Sequence, residues 1–252
     1  RAAALGVRPY DGGVELSALV QDKAAKPGDK GPIAAANLAQ FLPEGDVKLV
    51  WNTRDVQRMV DFYMRLYGPM LDEQPQLRTV VQGMVDEWVK LGRKMEMAAS
   101  FSLGGDKAFR AYGLMRVDSP AAMLALGRKT VGLMQQGPVH DAYARLGVDL
   151  QLTGKQGVRK VQGWPVDRYE YKSVLTPAAQ NSPAKPFWEK LTGMSYEVAQ
   201  VGPYVVYALN APVDDVVKAL FKGPVAGSPG MQALSAYPAG GSFYADINFS
   251  SL

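Results

Sequence analysis

The stretch SYEVAQVGPYVVYALNAPVDDVVKAL, residues 195–220, contains the structural unit on which this chain is built. Two runs rich in β-branched and aromatic residues flank Gly202-Pro203, a pair typical of a hairpin turn. The second run ends at Asn210. Pro212 then stands at the start of a segment with apolar residues three and four positions apart. The spacing therefore predicts strand, turn, strand and then an amphipathic helix.

The second half of this unit recurs along the chain. LMRVDSPAAMLALG, residues 114–127, also has a strand-like run, then a small residue followed by proline, and then apolar residues at helical spacing. KLVWNTRDVQRMV, residues 48–60, follows the scheme without the proline, and FYADINFSSL, residues 243–252, matches its first half. Each unit supplies a strand and a helix to cover it. Because the last unit stops after its strand, we expect the natural protein to continue beyond Leu252.

Further turn signals complete the expected architecture. Gly104-Gly105-Asp106 predicts a second hairpin, and the basic segment KQGVRK, residues 155–160, predicts the turn of a third. Gly68-Pro69 is expected to bend or end the helix before it. The fold class predicted is α+β, with an antiparallel, hairpin-built sheet and amphipathic helices packed on one face.

The domain organisation follows from a change in composition near residue 40. Residues 1–40 are rich in Ala, Gly, Pro and Lys and are expected to form an N-terminal extension or linker. Residues 41–252 are expected to form one α+β domain, with 41–147 and 148–252 as candidate related halves. A domain of this length can bury a sizeable core.

The helix expected after Pro75 is the cleanest amphipathic segment of the chain, and it has two interpretations. Met84 and Trp88 lie on its apolar side, which faces either the core or a groove for a partner or lipid. Many of the eleven methionines lie in the same half of the sequence. They also fit either a core or the adaptable wall of a hydrophobic ligand cavity.

Charged and aromatic residues alternate in the segment RYEYK. Arg168, Glu170 and Lys172 are expected on one side of a strand, as a solvated face of opposite charges, with Tyr169 and Tyr171 on the other. Large apolar and aromatic side chains supply the candidate ligand or partner surface, which consists of Met84, Trp88, Trp164, Tyr169 and Tyr171.

No catalytic or cofactor signature is present. His140 is the one histidine, Asp141 beside it points elsewhere on a helix, and no G-x-S-x-G accompanies it. The chain has no cysteine, so neither disulfides nor the usual zinc ligand sets are available. The segment around residues 154–160 lacks the spacing of a phosphate-binding loop. We therefore expect no catalytic residue, no metal and no cofactor.

The charge pattern narrows the range of partners. The formal net charge is +4, with 28 basic and 24 acidic residues interspersed along the chain. A nucleic-acid-binding protein more often concentrates its basic residues in one stripe, so no nucleic-acid partner is expected. No run of about 18 apolar residues exists, and no transmembrane segment is expected.

Three segments carry a resemblance to a protein family. FLPEGDVKLVWNTRDVQRMV (41–60), residues 195–220 and YPAGGSFYADINFSSL (237–252) resemble segments of uncharacterised bacterial extracytoplasmic proteins, many of them lipoproteins. The resemblance covers most of residues 41–252. It implies an exported α+β protein of the periplasm or cell surface, without known catalytic residues. The chain differs from those proteins in having no N-terminal lipidation cysteine.

Three functions stay open at this point. The first is a non-catalytic extracytoplasmic binding or assembly module with a protein partner. The second is a carrier that holds an apolar, lipid-like ligand between its helices and a curved sheet, and the third is a hydrolase with an unrecognised site. A continuous apolar void of roughly several hundred Å³ would favour the carrier. A filled core with an exposed sheet face would favour assembly.

Overall fold

The computed structural model describes residues 2–10, 13–21, 36–53, 56–91, 95–103, 109–145, 147–181, 185, 189, 193–223 and 243–247. Its strands are β1 (Ala2–Tyr10), β2 (Gly13–Gln21), β3 (Val47–Thr53), β4 (Met95–Leu103), β5 (Phe109–Val117), β6 (Val148–Val161), β7 (Trp164–Leu175), β8 (Met194–Val201), β9 (Tyr204–Leu209) and β10 (Phe243–Ile247). Its helices are α1 (Ala36–Ala39), α2 (Val56–Asp72), α3 (Pro75–Leu91), α4 (Pro120–Met134), α5 (Gly137–Arg145) and α6 (Asp214–Lys222).

The ten strands that the structure describes join one sheet in the order β1-β2-β10-β3-β4-β5-β9-β8-β7-β6, and every neighbouring pair is antiparallel. The α+β class and the antiparallel, hairpin-built sheet are thus confirmed. β5 and β9 pair at the centre, and each belongs to a hairpin followed by a helix, β4–β5–α4 and β8–β9–α6. The repeated sequence unit therefore corresponds to a repeated structural unit.

The two ends of the chain meet within this sheet. β10 lies between β2 and β3, so the strand predicted at the end of the sequence does pair within the sheet. The alternation in this segment also predicts that Phe243, Ala245, Ile247 and Phe249 face the core, a prediction that lies outside the side chains that the structure describes. β1 and β2 form a hairpin inside the segment that was expected to be an extension or linker. That segment therefore contributes an edge of the sheet.

The core includes a row of side chains that crosses six strands. Each residue of this row is the Cα partner of the next across the ladder, and each is fully shielded from solvent. Side chains directly opposite each other share one face of a sheet. The row consists of Val50, Ala98, Leu114, Val206, Ala199 and Val166.

Helices cover both faces of the sheet, which differs from the expectation of one covered face. The first face, called the α6 face, carries the row just described and packs against Leu38 of α1 and Val216 of α6. The second, called the α4 face, packs against Val60 of α2 and Leu124 of α4.

Asn210 explains why α4 and α6, which follow similar strand-to-helix sequences, pack on opposite faces of the sheet. In the first unit the strand leads through Asp118 to α4, and in the second through Asn210 to α6. Asn210 has φ 54° and its side chain spans two neighbouring strands. Its Nδ2 donates to the Phe109 carbonyl at 3.0 Å, and its Oδ1 accepts from the Ser195 N–H at 3.1 Å. A left-handed residue at this point redirects the chain, so the same sequence pattern ends on the opposite face.

We expect Asn210→Ala to lower the free energy of unfolding by about 2 to 3 kcal/mol. Alanine is strained at positive φ, and both side-chain hydrogen bonds are lost. Asp118→Ala, at the corresponding position of the first unit, is the matched control and should change the free energy by about 0.5 kcal/mol or less. Urea unfolding of both variants measures this, and equal losses would contradict the assignment.

The third hairpin turns at a different place from the one predicted. KQGVRK lies within β6, and the turn is Gln162-Gly163, where both residues have positive φ, 51° and 86°. Two-residue hairpin loops favour this conformation because its twist matches that of the strands. The prediction of the turn at 155–160 was wrong because its glycine and lysines look like turn chemistry, but the segment continues as a strand with a bulge at residues 156–158. The turn at Gly202-Pro203 is confirmed.

α2 continues through Gly68-Pro69 to Asp72, so of the two expected effects, a bend or an end, the helix does not end at this pair. Pro69 lies in the last turn, where it removes only one intrahelical hydrogen bond, and the buried Leu71 anchors the residues that follow. Among the helices that the structure describes, none combines the length and the apolar character needed to cross a membrane.

Candidate functional site

The five residues proposed as a ligand or partner surface lie in different parts of the molecule. Trp88 of α3 packs against the cluster formed by Val56, Val60, Met95 and Val117. Met84, one turn earlier, is half-buried. On β7, Tyr169 is buried and Tyr171 half-buried, both on the α4 face. Trp164 packs against the core on the α6 face. The tyrosines and Trp164 therefore belong to opposite sides of the sheet.

The alternation along β7 is as predicted. Arg168 and Glu170 are exposed on the α6 face and bond each other at 3.1 Å, and Lys172 is also exposed. Tyr169 points to the α4 face, where its ring centroid lies 6.0 Å from that of Tyr196 on β8. The charged side of this strand is a solvated face, and the aromatic side belongs to the core.

Tyrosine hydroxyls on the α4 face are held away from water. The Tyr207 hydroxyl donates to Met97 Sδ at 3.3 Å, and burial raises the pKa of Tyr207 to about 12. The pKa of Tyr196 is also raised, by burial first and then by neighbouring tyrosines. Burial of this kind disfavours the phenolate form. These groups are therefore protonated and uncharged at neutral pH.

Stability should fall at high pH for this reason. Above pH 10 an unfolded tyrosine ionises, while Tyr207 in the folded state keeps its proton up to about pH 12. Unfolding then releases a proton, so each such group lowers the free energy of unfolding by about 1.4 kcal/mol per pH unit between these values. We expect Tyr207→Phe to have a shallower decline between pH 10 and 12 and to match the wild type within about 1 kcal/mol at pH 7. Urea unfolding at several pH values measures the slope, and an unchanged slope would refute the assignment.

Asp167 is a buried carboxylate at the α4 face, on β7. Arg128 of α4 binds both of its oxygens, Nε to Oδ2 at 2.7 Å and Nη2 to Oδ1 at 3.2 Å. The N–H of Gly157 donates to Oδ1 at 2.9 Å. Such a bidentate arginine pair fixes both distance and orientation. This cluster holds α4 on the sheet.

A bulge in β6 makes room for that carboxylate. Between the pairs Lys155–Arg168 and Arg159–Val166, three residues of β6 lie opposite Asp167 alone. Gly157, in the middle of the three, has φ 60°, and its N–H binds the carboxylate where a ladder partner would otherwise stand. Gly157 therefore has a structural explanation.

Glu197 of β8 plays the matching part on the α6 face. Its Oε2 accepts from Arg159 Nη2 at 2.6 Å and from the Val213 N–H, just before α6, at 3.1 Å. The same Arg159 nitrogen donates to Asp214 in the first turn of α6 at 2.5 Å. Arg159 thus joins the bulged strand to the start of the helix. Both buried carboxylates are used to position helices.

His140 binds a different carboxylate from its sequence neighbour. Its Nε2 lies 3.1 Å from Asp149 Oδ1 at the start of β6, and its Nδ1 lies 3.8 Å from Asp141. The pKa of Asp149 is lowered, first by a hydrogen bond from Gln151 and then by His140. The contact ties α5 to the edge strand. No group of three or more potential metal ligands occurs in the described ranges.

A surface cavity of about 400 Å³ opens between the α2–α3 turn and α5. Glu73, Gln74 and Gln76 line it from the turn, and Asp141 and Arg145 from α5. Neither Glu73 nor Arg145 forms an ion pair or hydrogen bond with another side chain that the structure describes, whereas the buried Asp167 and Glu197 are both paired. Two of the charged groups that line the cavity, Glu73 and Arg145, are therefore not used by side-chain pairing in the described part of the fold.

Sequence reasoning missed both this cavity and the paired carboxylates. Asp167 and Glu197 could have been noticed as acids in strand segments rich in β-branched and aromatic residues. The cavity had no comparable signal, because its two sides lie more than sixty residues apart. Comparison of the chain with protein-family models, with curated proteins and with solved structures gave no match.

Proposed function

We propose that this chain is a non-catalytic binding module of a bacterial envelope or secreted protein, and that it binds through the cavity between the α2–α3 turn and α5. The observation that carries the proposal is that Glu73 and Arg145, which have no side-chain partner among the described residues, lie on the wall of one concave site. Cavities of this volume accommodate small molecules. The lack of cysteine and the resemblance to extracytoplasmic proteins support the location.

The uses of the remaining ionisable groups favour binding over catalysis. A catalytic acid or base must reach a substrate, so it needs an accessible position beside a cleft. Asp167 and Glu197 are buried and saturated with arginine and backbone donors. His140 is engaged by Asp149. These groups are committed to holding α4, α6 and α5 in place.

Native mass spectrometry of protein purified from its source organism tests the proposal. We expect a small-molecule adduct on the wild type that is lost in the double variant Glu73→Gln/Arg145→Gln. The matched control, Glu170→Gln/Lys172→Gln, also removes one acid and one base from an exposed site and should keep the adduct. A wild type without an adduct, or an adduct retained in the cavity variant, would refute the proposal.

A second candidate is a carrier of an apolar ligand between the helices. It is favoured by the loose burial of this layer: within the described side chains, α3 and α5 have no fully buried residue and α4 has only Leu124. Met84 and Trp88 belong to this layer. If the bound molecule is a lipid, organic extraction of the purified protein recovers it. Glu73→Gln/Arg145→Gln would then leave its amount unchanged.

A further inference from the structure

Glu73 and Arg145, two of the charges around the cavity, differ from their neighbours in having no ion-pair partner among the residues that the structure describes. Asp72, next to Glu73, pairs with Arg78. His140, next to Asp141, is bonded to Asp149 and lies 3.8 Å from Asp141. The charged residues just outside the cavity therefore form ion pairs within the protein. Within the described part of the chain, Glu73 and Arg145 do not.

The signs of these charges restrict what can bind. A simple anion would meet the guanidinium of Arg145 but also the carboxylates of Glu73 and Asp141, and a simple cation would meet the reverse conflict. A molecule with one carboxylate and one ammonium group satisfies both signs at once. Arginine can bind a carboxylate through two parallel N–H groups. Pro75, Leu77 and Pro138 add apolar wall for the body of such a molecule.

Resting on the proposed binding function, we propose that the cavity binds a small zwitterion of the amino-acid or short-peptide type. The ligand carboxylate lies on Arg145, and its ammonium group lies by Glu73 and Asp141. The position of Arg145 in the last turn of α5 also suits the helix dipole, which accounts for a basic residue there. It does not account for the carboxylates of Glu73 and Asp141, which line the same cavity.

Isothermal titration calorimetry with three probes of similar length tests the ligand class: the dipeptide glycylleucine, the dianion adipate and the dication 1,6-diaminohexane. We expect the dipeptide to bind, and its dissociation constant to rise at least about tenfold in Arg145→Gln and in Glu73→Gln/Asp141→Asn. Glu170→Gln/Lys172→Gln should bind it as the wild type does.

Two results would overturn the inference, and they differ in what they imply. Binding of adipate or diaminohexane at these residues, without the dipeptide, would refute the zwitterion and keep the cavity as a binding site. Absence of binding by all three probes would refute the ligand class. The binding function would then be judged by the mass-spectrometric adduct, which does not depend on the probes.

Discussion

Asp167→Asn is expected to lower the free energy of unfolding by about 4 kcal/mol, the largest effect of any change considered. The asparagine keeps the size of the side chain but removes the charge that Arg128 and the Gly157 N–H both bind. Removing one partner of a buried ion pair typically costs about 3 to 5 kcal/mol, because the other charge is left uncompensated. Arg128 retains some access to solvent, which keeps the expected loss below the top of that range.

The segments that lose protection in Asp167→Asn show which contacts the substitution removes. We expect amide hydrogen exchange to accelerate in α4 and in residues 155–159 of β6, since both are held by this carboxylate. Glu170→Gln removes a charge from the same strand, but from an exposed pair, and should cost at most about 0.5 kcal/mol. A loss below 1 kcal/mol in Asp167→Asn, or exchange unchanged in α4, would contradict the account.

Glu197→Gln is expected to cost about 3 kcal/mol. Its side chain is almost fully buried, with Arg159 and the Val213 N–H as partners. The amide oxygen of glutamine can still accept one of these bonds, and Asp214 still neutralises Arg159. The loss should therefore be somewhat smaller than for Asp167→Asn.

The two variants should differ in which helix they release. Glu197→Gln should accelerate amide exchange around Val216 and Val217 of α6 and leave α4 protected. Native-state hydrogen exchange by mass spectrometry separates these segments. If both variants loosened both helices equally, the two clusters would not be independent anchors on opposite faces.

The sequence predicted the elements of this fold better than their arrangement. Strand, turn, strand and helix follow from short-range spacing, which is why the unit at 195–220 and the β7 alternation are as predicted. The face on which each helix packs depends on the backbone angle at one residue, and Asn210 and Asp118 look alike in a pattern of residue types. The bulge near Gly157 is likewise defined by a bond across the hairpin to Asp167, which the pattern of residue types does not show.

The candidate site was still harder to predict. The sequence pattern of aromatic and methionine residues pointed to Met84, Trp88, Trp164, Tyr169 and Tyr171. Three of these, Trp88, Trp164 and Tyr169, pack within or against the core clusters. Glu73 and Arg145 are ordinary surface residues in sequence. Only the folded helices show that both line one cavity, and neither has a side-chain partner among the residues that the structure describes.

The central claim is that buried charges maintain the fold while the cavity charges are free for a ligand. Equilibrium urea unfolding of Glu73→Gln/Arg145→Gln, with wild type and variant both dialysed free of small molecules, tests it most directly. Surface changes away from structural contacts usually alter stability by at most about 0.5 kcal/mol, and we predict a difference within that limit. A loss close to the roughly 4 kcal/mol expected for Asp167→Asn would mean that the cavity charges serve the fold, and would contradict the claim.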